Sequence, residues 1–369
     1  MKKFFWIAEM LLFVIFGLVA SSGKAQLLYP SGNSLGLQSA TLENIMVLQQ
    51  LRNTDLPCVG RNAWALGYGL GGYSRGDVLY EYGDSEAFLD PTFDPSLVGV
   101  TFLEPTDYDQ SLGGTIIGTD MNLGASSRLG MFFAYNSSSQ QLAGAQQGES
   151  LNVNNYFWGL YGRKEEESFY LMGAGAIGHA RMDEQFHTAL GPYTWDYETK
   201  SNAWRALLYG EIGTEMNFGK LNVQPFWGVQ YYYAGNGSTT DTSGTVYEVT
   251  RTFPALKTNS FRNVLGIRLA DTFWAAEDRA LQVNCLAFWY HEFLSMKNWG
   301  GGDFGYQPEG MPTMDYFYYS AQNSGRDWAV IAPTVEWKVG NLRLWAGYIA
   351  LFNTREALQL GQGGIAYCF

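Results

Sequence analysis

Long hydrophobic runs are what this sequence most conspicuously lacks. Past residue 25, no apolar stretch reaches the roughly 18 residues that a membrane-crossing helix needs, so a bundle of transmembrane helices is excluded. Charge is also scarce. Asp, Glu, Lys and Arg make up 16% of the 369 residues, against about a quarter in ordinary soluble domains. Bases are the rarer sign, the net charge is −12 and no basic stripe occurs, which speaks against nucleic acid as a partner. Cysteine is limited to Cys58, Cys285 and Cys368. None forms a CxxC pair, and His179, His187 and His291 lie apart from them in sequence, so no zinc site and no other cofactor site is expected. No GxSxG motif is present. Aromatics and glycine are abundant instead, at 16% aromatic residues and 44 glycines, a composition suited to a surface that meets lipid as well as water.

The N-terminus has the pattern of a secretory signal over 1–25. Lys2 and Lys3 supply the positive start, Leu11 to Ala20 the apolar core, and Gly23-Lys24-Ala25 the small residues at the cleavage positions. Cleavage is expected between Ala25 and Gln26, which sends the chain across the inner membrane of a Gram-negative-type bacterium.

From about residue 61 onward, alternation with a period of two dominates. Leu221, Val223, Pro225, Trp227, Val229, Tyr231 and Tyr233 fall on one face, with Asn222, Gln224, Phe226, Gly228, Gln230 and Tyr232 on the other. Twelve such segments are expected: roughly 61–74, 112–124, 127–136, 151–163, 168–181, 201–218, 221–234, 258–271, 280–294, 327–339, 341–352 and 358–369. Most are ten residues or longer, suited to tilted membrane-crossing strands. The intervening connections alternate in length. Those at 75–111, 137–150, 182–200, 235–257 and 295–326 are long, and those between are mostly a few residues. This sorting is the mark of an all-β, twelve-stranded antiparallel transmembrane barrel with short periplasmic turns and long outer loops. A large secreted β-sandwich is the alternative, but it has no reason to sort its loops.

The two faces carry different chemistry. The apolar faces hold no charge, whereas the opposite faces carry Asp120, Glu211, Glu215, Glu292 and Glu336 with Arg205, Arg262, Arg268, Lys338 and Arg343. These charges are expected to line a polar lumen, where they avoid the few kcal/mol that a lipid-facing charge costs at the bilayer midplane.

Several segments carry a resemblance. The chain ends Ile365-Ala-Tyr367-Cys-Phe369, similar to the terminal signal read by the barrel assembly machinery. Asn259-Ser-Phe-Arg262-Asn-Val-Leu-Gly266-Ile-Arg268-Leu and Trp289-Tyr-His291-Glu292-Phe293 resemble late strands of autotransporter barrels. Gly118-Thr-Asp120, Leu129-Gly-Met-Phe-Phe-Ala-Tyr135 and Phe157-Trp-Gly-Leu-Tyr161-Gly resemble their early strands. The resemblance covers about 61–369 and implies a translocator barrel, folded by the assembly machinery, embedded in outer-membrane lipid and monomeric. Only residues 26–60 stand between the signal and the barrel, so no large passenger is expected.

Residues 41–53 read as a helix, with Ser39 or Thr41 as cap and Glu43 in the first turn, where the dipole favours an acid. The resemblance places this helix in the lumen as a plug; a periplasmic stub is the alternative. Some family members cut themselves at an Asn on this helix, for which Asn53 is the candidate counterpart, but with no passenger to release such a cut is not expected here. The connection 75–111 carries nine acids (Asp77, Glu81, Asp84, Glu86, Asp90, Asp94, Glu104, Asp107, Asp109), a density that suits Ca²⁺ but lacks the EF-hand spacing and is more simply solvated loop acidity. His291-Glu292 invites a hydrolase, yet adjacent strand residues point to opposite faces. A non-enzymatic barrel that anchors or translocates its own short N-terminal segment and presents acidic surface loops is the expected function, with a narrow porin-like channel for a small solute as the alternative and an outer-membrane hydrolase a more distant one. Cys58 and Cys368 both approach the seam between first and last strands, and either a bridge or two unpaired thiols fits there.

Overall fold

The computed structural model describes residues 30–52, 60–76, 80–83, 106–124, 126–142, 150–190, 193–242, 250–253, 255–276, 278–294, 299–304, 316–320 and 326–369. One helix, α1 (Pro30–Arg52), precedes the strands β1 (Arg61–Gly76), β2 (Tyr80–Gly83), β3 (Thr106–Asn122), β4 (Ser127–Leu142), β5 (Ser150–Glu165) and β6 (Tyr170–Leu190). Then come β7 (Tyr193–Gly213), β8 (Met216–Phe218), β9 (Leu221–Asn236), β10 (Thr239–Thr242), β11 (Thr250–Phe253) and β12 (Leu256–Ala275). The chain finishes with β13 (Arg279–Glu292), β14 (Trp299–Phe304), β15 (Tyr316–Ser320), β16 (Asp327–Val339), β17 (Leu342–Phe352) and β18 (Glu356–Cys368).

Twelve of these strands close into an antiparallel barrel in the order β1, β3, β4, β5, β6, β7, β9, β12, β13, β16, β17, β18, with β8 a short extension beside β9. Each of the twelve expected segments falls on one of these strands, with ends that differ by a few residues and 201–218 running on through β7 into β8. Closure runs through β1 and β18, registered from Asn62↔Cys368 to Ser74↔Glu356. At its end the backbone groups of Arg61 and Phe369 exchange two hydrogen bonds, 3.1 and 3.0 Å. Every long edge is thereby consumed, as lipid demands of a strand-built span.

The short turns are set by sequence. Gly219 and Gly340 adopt φ of 67° and 56° in the tight connections β8–β9 and β16–β17, a left-handed backbone that glycine takes without penalty. At the opposite mouth the strands run further than alternation alone indicates. β6 and β7 are 21 residues each and stay paired to Leu190↔Tyr193, so most of the connection read as 182–200 is a continuous hairpin. Asp183, Glu184, Glu198 and Lys200 break its apolar pattern, because a ladder that rises clear of lipid has no apolar face to keep.

A second sheet, in the order β10-β11-β14-β15-β2, is built from the connections read as 75–111, 235–257 and 295–326. Sequence periodicity gives no sign of it, because its strands are only four to six residues long.

The outward face of the barrel is apolar and bare: Trp158 and Trp204 are each 66% exposed, among a girdle that includes Ile177, Leu265 and Met131. The inward face is mixed rather than purely polar. Trp64, Phe157, Leu207, Phe226, Val264 and Leu286 are buried inside along with the charged residues. Inward rings lie over glycines on neighbouring strands. A Cβ on Gly118 would strike the Trp64 indole, and one on Gly130 the Tyr161 ring. Part of the glycine abundance is thus space for lumenal aromatics.

Candidate functional site: the helix-filled lumen

Helix α1 lies inside the barrel, its backbone closest to β3, β4, β5 and β6. It begins at Pro30 and not near 41. Proline suits a first helical position, where its missing N–H costs nothing. The expected start at Ser39 or Thr41 is therefore corrected: both are buried within the helix, Thr41 Oγ1 donating back to the Leu37 carbonyl at 2.7 Å. Residues 30–40 include Gly32, Gly36, Asn33 and Ser34, a poor helix-forming run that local propensity reads as coil. The surrounding wall supplies its stability. Asn53 lies outside the described residues.

The helix is fastened along its length. Near the long-loop mouth, the Gln38 amide donates to Glu356 at 2.6 Å. Beginning at the next residue, Asn136 donates to Ser39 Oγ at 2.7 Å and to Glu43 Oε1 at 2.6 Å, and the Tyr68 hydroxyl donates to the same Glu43 oxygen at 2.7 Å. Thr41 Oγ1 accepts from Gln230 at 3.0 Å and from Arg262 at 3.2 Å. Lower down, Gln362 donates to Gln49 at 2.9 Å and Arg343 to Gln50 at 2.6 Å. The last turn is capped by cations: Arg128 reaches the Gln50 carbonyl at 3.5 Å, Arg163 the Leu51 carbonyl at 3.3 Å. Both satisfy orphan carbonyls and sit where the helix dipole is negative. Arg52 closes the helix in a buried ion pair with Glu211, which also accepts from Tyr170 and Tyr209. Leu37, Leu42, Ile45, Met46, Val47, Leu48 and Leu51 fill the space between these polar fastenings.

Glu43 is thus no first-turn dipole acid. It lies in mid-helix and holds two strands, β1 and β4, through Tyr68 and Asn136. Nothing in the sequence pattern singles it out, since Tyr68 and Asn136 carry no motif.

The expected lumenal charges divide into two groups. Asp120, Arg205, Glu211, Arg262, Arg268, Glu292, Glu336 and Arg343 are buried inside. Glu215 and Lys338 are not: Glu215 lies exposed at the β7–β8 break and Lys338 half-buried near the β16–β17 turn, both at the short-turn mouth. The buried charges are bonded in place. Asp120 takes Arg128 at 2.6 Å and the Tyr161 hydroxyl at 2.8 Å. Glu292 takes Arg262 at 3.0 Å, the Phe261 backbone N–H at 2.9 Å and the Ser260 hydroxyl. Arg343 stands 3.5 Å from Glu336, and Arg268 donates to Asn284 at 2.5 Å. Arg205 donates to Asn155.

His291 and Glu292 point apart. Glu292 is lumenal, whereas His291 faces outward at the long-loop rim, 2.8 Å from Asp327. Ile365, Tyr367 and Phe369 are all outward-facing and exposed. Cys285 is a free thiol and Cys368 is disulfide-bonded; Cys58, Ala25, Gln26 and His187's side chain lie outside what the structure describes. Of the acidic connection, Glu81, Asp107 and Asp109 fall in strands and the other six acids lie outside the described residues. Among the described residues no cluster of His, Cys, Asp and Glu is arranged to hold a metal ion.

A closed up-and-down barrel, apolar outside, charged inside and threaded by a helix, defines an integral outer-membrane barrel of the translocator class. The family model for the autotransporter β-domain matches residues 104–349, more than half of the chain, and the chain belongs to that family. In fold it is similar to the translocator domain of the autotransporter NalP from Neisseria meningitidis, with a TM-score of 0.64 and 12% identity over 92% of this chain and 98% of that one. It is also similar to the transport unit of the autotransporter AIDA-I from Escherichia coli, with a TM-score of 0.50 and 14% identity over 86% and 92% of the two chains. A curated relative, an extracellular serine protease of Serratia marcescens, is 27% identical over 193 residues. That match takes in 51% of this chain and only 17% of the protease.

Proposed function

We propose that this outer-membrane barrel anchors and exports the segment that precedes its own helix, and has no catalytic role. The observation that carries the reading is the direction of α1. Gln38 is fastened beside Glu356 at the long-loop mouth and Arg52 beside Glu211 toward the short-turn mouth, so the helix enters from the outside and leads down to β1. Whatever lies N-terminal to Pro30 is thereby directed to the cell surface. Export by a signal over 1–25 and folding by the barrel assembly machinery, with Ile365, Tyr367 and Phe369 as the recognised terminal residues, complete the proposal, with the surrounding outer-membrane lipid as the partner of the aromatic girdle and the barrel acting as a monomer.

A non-enzymatic role is supported by the histidines. His291 and Glu292 occupy opposite faces, and His179 lies outward, its ring edge-on to Trp204 at 5.3 Å. Neither is placed to act with a lumenal carboxylate. An epitope inserted just before residue 30 tests the reading. It is expected to bind antibody on intact cells; binding only after the outer membrane is permeabilised contradicts it.

A further inference from the structure

Helix α1 carries two charges, Glu43 nearer the long-loop mouth and Arg52 nearer the short-turn mouth. The inward face of β7, where its side chains are described, also carries two, Arg205 above and Glu211 below, with the signs reversed. Elsewhere the wall matches its own charges: Asp120 meets Arg128, Glu292 meets Arg262 and Glu336 faces Arg343. On β7 the counter-charges come from the helix. Glu211 receives Arg52. Arg205 is joined to Glu43 by a hydrogen-bond relay through Asn155 and Asn136, and Glu43 is the carboxylate that attracts it. The Arg205 guanidinium also fills the space beside Gly36.

The two spacings agree. Glu43 and Arg52 stand nine residues apart, a rise of about 13.5 Å in an α-helix. Arg205 and Glu211 stand six apart, about 20 Å along a strand and roughly 15 Å along the axis of a barrel whose strands tilt by about 40°. A helix displaced by one turn loses both matches. Three residues outward, Asp55 follows Arg52 to the level of Glu211, and Ser39 brings a side chain to the place that Arg205 shares with Gly36. Four residues inward, Leu48 comes opposite Glu211. Either shift strips a buried carboxylate of its cation, which is strongly unfavourable.

We infer that β7 is a charge ruler that fixes the depth at which the exported chain comes to rest, with Arg52–Glu211 as the stop and Glu43–Arg205 as the second mark. The inference rests on the export reading above, in which the chain moves outward through the lumen. Arg205 and Glu211 are positioning residues: they set the register of α1, and hence how much of the chain stands outside.

The test uses the full chain in the outer membrane, with Cys285→Ser to remove the free thiol. Gln49 and Gln362, 2.9 Å apart at their side-chain oxygen and nitrogen, lie outside the ruler and report the register. Gln49→Cys with Gln362→Cys is joined by a short bifunctional thiol reagent, and heat-modifiable mobility shows that the barrel is folded. Arg52→Glu is expected to lower this cross-linking at least fivefold, and Arg52→Glu with Glu211→Arg to restore it. Unchanged cross-linking in folded Arg52→Glu overturns the ruler, and so does a loss that the swapped pair does not recover. Where Arg52→Glu yields no folded barrel, the neutral pair Arg52→Gln with Glu211→Gln takes its place. Without charges to stop the helix, cross-linking to Gln362→Cys is expected to spread from position 49 to Ile45→Cys and Asn53→Cys; confinement to position 49 overturns the ruler. The export reading is scored separately by the epitope before residue 30. An epitope hidden on intact cells, with charge-dependent cross-linking preserved, removes export and leaves the ruler as a seat for the helix.

Discussion

The Arg205 guanidinium of β7 lies in the place that a side chain on Gly36 of α1 would need. A Cβ there would collide with the guanidinium carbon and both terminal nitrogens of a buried arginine that is itself tied to Asn155. Glycine in mid-helix costs about 1 kcal/mol relative to alanine, so its presence marks a packing demand that outweighs propensity.

Gly36→Leu is expected to destabilise the folded barrel by about 1–3 kcal/mol through overpacking. Gly36→Ala is expected to do so by less, since gained helix propensity offsets part of the clash. The temperature at which the folded form converts to the slower-migrating form on a denaturing gel reads the difference. An unchanged or raised conversion temperature for Gly36→Leu would contradict the close approach.

Phe369 has two roles that can be separated. Its backbone closes the seam with Arg61, and its ring is exposed outside the barrel. Phe369→Ala keeps the two seam hydrogen bonds and removes only the ring, yet assembly into the membrane is expected to slow markedly, measured by heat-modifiable mobility after a pulse of synthesis. Wild-type assembly of Phe369→Ala, with loss only on deletion of the residue, would assign the effect to the seam and leave no signal role for the ring.

Cys368 is bonded and Cys285 is free, and the sequence contains only one further cysteine, Cys58. In chain isolated from an oxidising compartment, alkylation before reduction is therefore expected to label Cys285 alone, and a non-reduced digest to yield a Cys58–Cys368 peptide pair. Labelling of all three thiols before reduction counts against the bridge.

Much of the barrel is legible in the sequence because lipid imposes one rule on every strand. Leu221 to Tyr233 alternates because its odd positions meet hydrocarbon and its even positions meet the lumen, and the structure buries Asn222, Gln224, Gln230 and Tyr232 accordingly. Gly219 and Gly340 mark their turns for a local reason. Where lipid stops, so does the signal: the hairpin above Arg181 and Lys200 and the five-stranded sheet are held by backbone ladders with no alternating pattern to announce them. The start of α1 is hidden differently. Pro30 to Ala40 is helical because Asn136 and Glu356 meet it in the lumen, and partners separated by about a hundred residues or more leave no trace in local propensity. Likewise Glu43 reads as a dipole acid until Tyr68 and Asn136 are seen to converge on it.

Helix α1 sits in the lumen with Gln38 toward the long-loop mouth and Arg52 toward the short-turn mouth. The Ser39 hydroxyl oxygen and the Asn136 amide nitrogen are 2.7 Å apart, which puts cysteines at both positions within reach of a short bifunctional thiol reagent. Ser39→Cys with Asn136→Cys, cross-linked by such a reagent in intact cells, is the direct measurement. A bridged species in the folded, heat-modifiable barrel is the predicted result. Folded barrel with both thiols still reactive would contradict the account.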